Sequence, residues 1–509
     1  MLHMGAGIAL CLATWLGLRQ QVGAPLLGRP GAGRTTVLAI DAFPVAAGWL
    51  LILLPTARPI LAGIAVACLG LGLGVADRVK RGVLNEPVVF ADRAELVEVV
   101  RHPRLYLAFI GVGRMVLGTA ACVLAVVVLV WLEPPLWPVS LLGAILLAAV
   151  AIAIGRALFV LPTLPFLLDR LGRRYARLSP SREPIEDASR FGLLAACIIQ
   201  ATLARIERPA RQAAAQARAW PKLPPDAGPI LIIQGESFVD ASRLHPDLAG
   251  ALPHFARLRQ EAVHHGRLDV PCWGANTIRS ELAVLTGLDK DAIGLDRYNP
   301  YEHFARVPLP SIASAAREAG YRTICIHPYD RGFYYRDRVM PLLGFDQFIG
   351  IEGFAGAERQ GPYVSDRAVA ELAARLLREH GPRLLLFAIT MENHGPWDAD
   401  HAGIPSADLP ADWRGLPEAP AIGRWMAHLA STDAMIPILR QGIEEAGGRG
   451  WILFYGDHQP SLAGPFRAPG APDQRTDYAV WGSGGAAGPR QDLAAEDLAA
   501  TMMAVIGAR

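Results

Sequence analysis

Five apolar runs occupy the first 168 residues, and nothing else in the sequence restricts the fold as severely. They lie near 4–18, 37–56, 60–76, 105–132 and 136–168. About 20 apolar residues cross a bilayer as a helix, and in lipid only helices and closed barrels satisfy their own backbone polar groups. The first run is short. The last two are long enough to cross with a tilt or a kink, and Pro162 and Pro165 kink the last one or end it early. A cleaved signal peptide is the weaker reading of the first run, because four more runs follow and no small-residue cleavage site is evident. Arg114, Arg156 and Asp41 sit within or beside the runs. Intramembrane charge is a functional hint, and snorkelling at a boundary is its ordinary alternative.

The loops at 19–36, 77–104 and 169–190 are rich in Arg and follow the first, third and fifth runs, so they share one side. The positive-inside rule makes that side cytoplasmic. A sixth crossing at 191–206 then carries the remainder outside; the same segment also suits an interfacial helix. Five spans with the N-terminus inside reach the same side but contradict the charge rule. Either route predicts a multi-pass protein of the inner (cytoplasmic) membrane, with its C-terminal half facing the periplasm or cell exterior. With 49 Lys+Arg against 47 Asp+Glu and a net charge of +2, there is no basic surface to suggest nucleic acid. Six Cys make no disulfide scaffold in a chain this long. Only Cys272 and Cys325 fall in the polar half, where one bridge between them is compatible with an extracytoplasmic location.

The expected organisation is a transmembrane domain over 1–168 with about five spans, a linker over 169–228, and a catalytic domain over 229–509. In the last part, short apolar runs recur at 229–234, 321–327, 384–390, 451–455 and 477–481, each with the look of a buried strand. Helical stretches lie between them at 280–286, 311–319, 366–379 and 424–446. Alternating strands and helices predict an α/β domain with a mostly parallel sheet.

In such sheets, sites form beyond the carboxyl ends of the strands. Four of the five expected strand ends carry reactive groups: Gly235-Glu236-Ser237, His327, Glu392-Asn393-His394 and Gly456-Asp457-His458. Glu236, Asp457 and His458 together suit a divalent cation such as Mn²⁺, Mg²⁺ or Zn²⁺. Taken singly, each has a bland explanation, as a helix cap or a solvated turn. Thr277 stands near the start of an expected helix, where unpaired N–H groups and the helix dipole favour an oxyanion or a bound phosphate. Thr is also an ordinary N-cap there.

Gly235-Glu236-Ser237-Phe238, Asn276-Thr277-x-x-Ser280-Glu281, Phe333-Tyr334-Tyr335-Arg336-Asp337 with Gly344-Phe345-Asp346, Asn393-His394-x-Pro396 and Tyr455-Gly456-Asp457-His458 resemble, in that order, the motifs of a known group. It is the lipoteichoic acid synthase and phosphoglycerol transferase group of the alkaline phosphatase/sulfatase superfamily. The resemblance covers 229–509 and implies a polytopic membrane domain followed by an α/β sulfatase-like domain. It implies that Glu236, Thr277, Asp457 and His458 hold one cation, most simply Mn²⁺. It implies Thr277 as nucleophile, and Tyr334, Arg336 and His394 as substrate-binding residues. Tyr334 stands where the group has Trp, and Ile278-Arg279 replace small and acidic residues.

The implied reaction is a double displacement. Phosphoglycerol passes from phosphatidylglycerol to Thr277 and then to an envelope polysaccharide or glucan. Phosphoethanolamine transfer and simple lipid phosphodiester hydrolysis are the alternatives within the superfamily. A sulfatase in the strict sense needs a C/S-x-P-x-R nucleophile signature, and Cys272 is followed instead by Trp-Gly-Ala-Asn. A non-catalytic binding protein would tolerate loss of ligands, yet all four expected ones are present.

Overall fold

A computed structural model describes residues 1–26, 34–138, 140–160, 165–398, 403–467 and 473–508. The chain divides into two compact units, Met1–Pro209 and Ala210–Arg509.

Among its described residues, the first unit's regular elements are all helices. Four described helices are long and apolar enough to cross a membrane: Leu2–Gln21, Thr35–Thr56, Pro59–Leu84 and Gly113–Leu132. The run at 105–132 is therefore two helices, Pro103–Ile110 and Val112–Leu132, parted at Gly111, whose φ of 85° is left-handed. A fifth helix, Leu141–Val160, takes the last run, and a separate helix starts at Pro165 and ends at Leu178. Arg29, Pro162 and the Arg156 side chain lie outside the described residues. The segment at 191–206 belongs to the helix Leu193–Gln216, which is not among the four spanning candidates. Its own Gln200, Arg205, Glu207 and Arg208 lower its apolarity.

Close helix approach in this unit rests on glycine. A Cβ on Gly7 would lie 2.3 Å from the Pro59 carbonyl oxygen, and one on Gly63 would lie 3.0 Å from the Gly7 oxygen. Small residues let backbones meet where lipid supplies no hydrophobic drive between helices. Glu133 caps the helix Pro59–Leu84, accepting from the backbone N–H of Ile60 at 2.9 Å and Leu61 at 2.7 Å. Asp41 does not snorkel. It is buried and accepts from Arg19 Nη1 at 2.7 Å, Trp15 Nε1 at 2.8 Å and the Ala195 backbone N–H at 3.0 Å. Arg19 also donates to the carbonyls of Phe191 and Pro25. Losing one member of such a buried pair typically costs about 3–5 kcal/mol, because the other charge is left unpaired. With its oxygens satisfied internally, Asp41 acts as a tie between helices.

The second unit begins earlier than the linker reading placed it. Residues 207–216 are helical, and the stretch that follows packs on this unit: Gln212 Nε2 donates to the Phe304 carbonyl at 2.8 Å, and Trp451 Nε1 donates to that of Ala227 at 3.0 Å. Ten strands form here among the described residues: β1 Ile230–Gly235, β2 His264–Asp269, β3 Arg322–Ile326, β4 Gln347–Ile349, β5 Arg359–Gln360, β6 Tyr363–Val364, β7 Leu384–Ile389, β8 Trp451–Gly456, β9 Thr476–Gly482 and β10 Leu493–Ala494. Eight make one sheet in the order β10-β2-β9-β8-β1-β7-β3-β4, and β5-β6 stand apart as a two-stranded pair.

All five expected strands are present. The sheet is parallel except at β9, which runs antiparallel to both β8 and β2. Strands β1, β7 and β8 are buried at every position. That is why their sequences read as unbroken apolar runs rather than as alternation. The core continues through Phe238, Phe255 and Phe454, whose rings meet edge to face or tilted at 4.8–5.6 Å.

Candidate active site

The register of the central strands assembles the site. β1 pairs with β8 so that Gly235 faces Gly456. The next residues, Glu236 and Asp457, therefore leave the sheet side by side. Only glycine fits at 456, because a Cβ there would lie 2.0 Å from the Phe238 carbonyl oxygen. Ser237 turns the chain in the left-handed region, at φ 51°. Its N–H donates to Asp457 Oδ1 at 2.9 Å, and its hydroxyl donates to Glu236 Oε1 at 2.9 Å.

Glu236, Asp457 and His458 are all buried, and one ligand atom from each lies within 4.8 Å of the others. His458 Nε2 is 3.5 Å from Glu236 Oε1 and 3.4 Å from Asp457 Oδ2. His458 Nδ1 meets the Gln459 carbonyl at 2.9 Å, which holds the proton on Nδ1 and turns Nε2 toward the carboxylates. Burial first, and then the Glu236 carboxylate beside it, push Asp457 up to about 7. Burial pulls the His458 imidazolium down, but Asp457 and Glu236 outweigh it and leave its pKa raised. Asp457 Oδ2 is buried without a hydrogen-bond partner. Two crowded carboxylates, an imidazole and an orphaned oxygen form a donor set that fits a divalent cation.

The loop that carries Thr277 is tied to the loop that carries Asp457 and His458 at two points. Before Thr277, the Gly274 N–H donates to the Gln459 carbonyl at 3.1 Å; after it, Ser280 Oγ donates to the Asp457 carbonyl at 2.6 Å. Both acceptors lie within one residue of His458. Thr277 opens the helix Ile278–Thr286, is 7% exposed, and its hydroxyl makes no cap bond. The capping explanation thus fails, and the Oγ is spared for other use. The preceding Asn276 has φ 67°, a conformation that costs a non-glycine residue free energy and recurs at functional sites.

The segment after β3 meets the same loop. Tyr334 and Tyr335 are consecutive left-handed residues, at φ 55° and 59°. The Tyr334 hydroxyl donates to Asn276 Oδ1 at 3.3 Å, so the residue replacing Trp does reach the Thr277 loop. Arg336 is 2% exposed and held by Glu281, with its Nη2 2.9 Å from Glu281 Oε2 and its Nη1 3.4 Å from His327 Nε2. Burial and then the Arg336 charge hold the His327 pKa well below the usual imidazole value, so this ring is neutral. His394 follows β7, with Nδ1 2.6 Å from the Gly395 carbonyl and its ring 5.9 Å from that of Tyr363.

Sequence reasoning left His327, Asn276 and Glu281 without roles, although each lay within a quoted motif or at a strand end. Cys272 and Cys325 are both buried and neither is in a disulfide, so the bridge considered for them is not formed. Cys272 instead lies 3.4 Å from Ser280 Oγ.

Residues 229–508 match the family described as Sulfatase. The chain is 38% identical over 268 residues to a Rhizobium meliloti (strain 1021) capsular polysaccharide biosynthesis protein, RkpI, spanning 50% of this chain and 45% of that one. It is 27% identical over 235 residues to a second protein of that strain, named provisionally as a cyclic beta-1,2-glucan modification protein, spanning 46% of this chain and 36% of that one. The chain thus spans less than half the length of these relatives. Among solved structures, the lipooligosaccharide phosphoethanolamine transferase A of Neisseria meningitidis, an integral membrane protein, is similar over 99% of this chain and 95% of that one, with a TM-score of 0.55 and 14% identity. That likeness concerns the fold alone: apolar helices followed by a sulfatase-like domain with a mostly parallel sheet.

Proposed function

The chain belongs to the sulfatase family, and from that premise we propose that it moves phosphoglycerol from phosphatidylglycerol to an envelope polysaccharide or glucan. The observation that carries this reading is the double tether between the loop of the uncapped Thr277 and the Asp457–His458 part of the Glu236–Asp457–His458 cluster. Glu236, Thr277, Asp457 and His458 are the residues that would hold a divalent cation, with Mn²⁺ the first choice and Mg²⁺ or Zn²⁺ the others. When bound, such an ion lowers the pKa of a hydroxyl and polarises a phosphoryl oxygen.

The remaining chemistry belongs to the chain. Thr277 Oγ attacks the phosphorus of the lipid, and the bond from phosphorus to the diacylglycerol oxygen breaks. Diacylglycerol leaves with a proton and stays in the bilayer. An acceptor hydroxyl then attacks the same phosphorus, the bond to Thr277 Oγ breaks, and the threonine hydroxyl regains its proton. Tyr334, Arg336 and His394 bind the head group. Each displacement needs its attacking and leaving oxygens in line. The motif wording favours phosphoglycerol, and the names of the two Rhizobium relatives favour a glycan acceptor.

A strain lacking this protein should have envelope glycans that are short of one phosphoglycerol mass per modified site, while the unmodified glycan persists. A missing phosphoethanolamine mass would move the reading to that head group. Unchanged glycans, with glycerol phosphate released from lipid by the purified protein, would make it a phosphodiesterase. The reading also places the second unit outside the cytoplasmic membrane, so protease added to intact spheroplasts should cut between Pro221 and Arg509. Protection of that stretch would contradict use of a lipid donor at the outer face.

A further inference from the structure

Glu281 lies one turn beyond Thr277 on the same helix and is fully buried. Its carboxylate accepts from Arg336 Nε at 3.1 Å and 3.2 Å and from Arg336 Nη2 at 2.9 Å. Tyr301 Oη donates to it at 2.8 Å, and Gln234 Nε2 lies 3.5 Å away. Gln234 is itself fixed from behind by the Tyr455 hydroxyl. One side chain thus joins the helix opened by Thr277, the segment that carries Tyr334 and Arg336, and the strand that Glu236 follows.

Stability alone does not account for this arrangement. A well-packed apolar pair holds buried elements together as well as a buried ion pair, and often better. What a carboxylate adds is direction, because the two-point fork fixes the plane of the guanidinium. Glu281 takes Nε and Nη2 and leaves Nη1 as the one terminal nitrogen outside its grip. Nη1 faces His327 Nε2 at 3.4 Å, while His327 Nδ1 faces the Ile389 carbonyl at 3.4 Å. The neutral ring with its proton on Nδ1 therefore presents an acceptor to Arg336. The guanidinium is set from both sides, and its carbon lies over the ring of Tyr334, 5.6 Å from the centroid.

We propose that Glu281 is a positioning residue: acting through Arg336, it holds the donor head group in register with Thr277. This rests on the reading of Arg336 as a head-group ligand. With the carboxylate gone, the guanidinium can swing while the helix and the cation-binding cluster keep their places. Head-group binding then suffers and the chemical step suffers less.

The test uses the full-length protein in detergent micelles, with phosphatidylglycerol as donor and diacylglycerol release as readout. Glu281→Gln should raise KM for the lipid about tenfold, with kcat within about threefold of the parent and bound manganese unchanged. Arg336→Gln should raise KM by at least as much. In the Arg336→Gln background, adding Glu281→Gln should change KM by less than about twofold, because its route of action is already gone. A double variant that multiplies the two effects, to about 100-fold, overturns the proposal.

Glu281→Met combined with Arg336→Met guards against misfolding. It should melt at the parental temperature and still show the raised KM; a parental KM in that folded variant overturns the proposal. The unmutated protein separates the two readings. Release from phosphatidylethanolamine but not phosphatidylglycerol overturns the head-group assignment, and the same cycle on that lipid decides Glu281. Release from neither lipid overturns both.

Discussion

Thr277→Ala is expected to abolish transfer while the protein still inserts, folds and melts as before. Losing a nucleophile that has no substitute typically lowers turnover by about 10⁴-fold or more, and binding and electrostatics alone supply what remains. The structure makes this substitution clean. The hydroxyl makes no cap bond to its own helix, and the tethers that hold the loop use Gly274 and Ser280 instead. Removing one Oγ therefore costs chemistry without loosening the loop. The decisive measurement is trapping: with labelled lipid and no acceptor, the parent should accumulate label on the peptide that contains Thr277, and the variant should not. Turnover retained in Thr277→Ala, or label found elsewhere, would remove Thr277 as nucleophile.

Asp457→Ala and His458→Ala are expected to lose bound metal and activity together, the second large effect. Asp457 also accepts the N–H of Ser237 at 2.9 Å and of His458 at 2.8 Å, so its loss disturbs the turn after β1 as well. His458→Ala removes only the Nδ1 bond to the adjacent Gln459 carbonyl and is the sharper probe. Metal measured on the purified variant should fall from near one ion per chain to near none, with turnover down about 10³-fold or more if the cation carries both activation of the hydroxyl and charge neutralisation. A further readout does not depend on turnover. Added Mn²⁺ should raise the melting temperature of the parent, because it binds only the folded cluster, and should leave that of His458→Ala unchanged. A variant that keeps its ion would remove the substituted residue from the ligand set.

These two experiments probe the parts of the site that were most legible in the sequence. Glu236, Asp457 and His458 stand directly after unbroken apolar strands, and residues at parallel strand ends converge without further instruction. Other parts were less legible. β4 has three residues, β10 has two, and β2 is a polar stretch with only one fully buried position. None of them carries an apolar run, because a strand at or near a sheet edge buries less of itself. The last part of the expected linker was illegible for a related reason: no apolar run marks 210–228, yet tertiary contacts such as Gln212 to Phe304 and Trp451 to Ala227 bind it to the second unit.

Local pattern alone was enough to establish two things about this protein: a unit of long apolar helices, and a mostly parallel sheet. Both follow from hydrophobic periodicity, which each stretch of chain carries by itself. What only the tertiary structure decided is which charges meet. Arg19 and Asp41 are 22 residues apart, and Glu281 and Arg336 are 55 apart. Either member of each pair, seen alone, reads as an exposed or snorkelling charge. Burial makes an unpaired charge costly, so folding selects partners that no local pattern names, and the Glu281–Arg336 pair is the one that ties the helix opened by Thr277 to the segment carrying Tyr334.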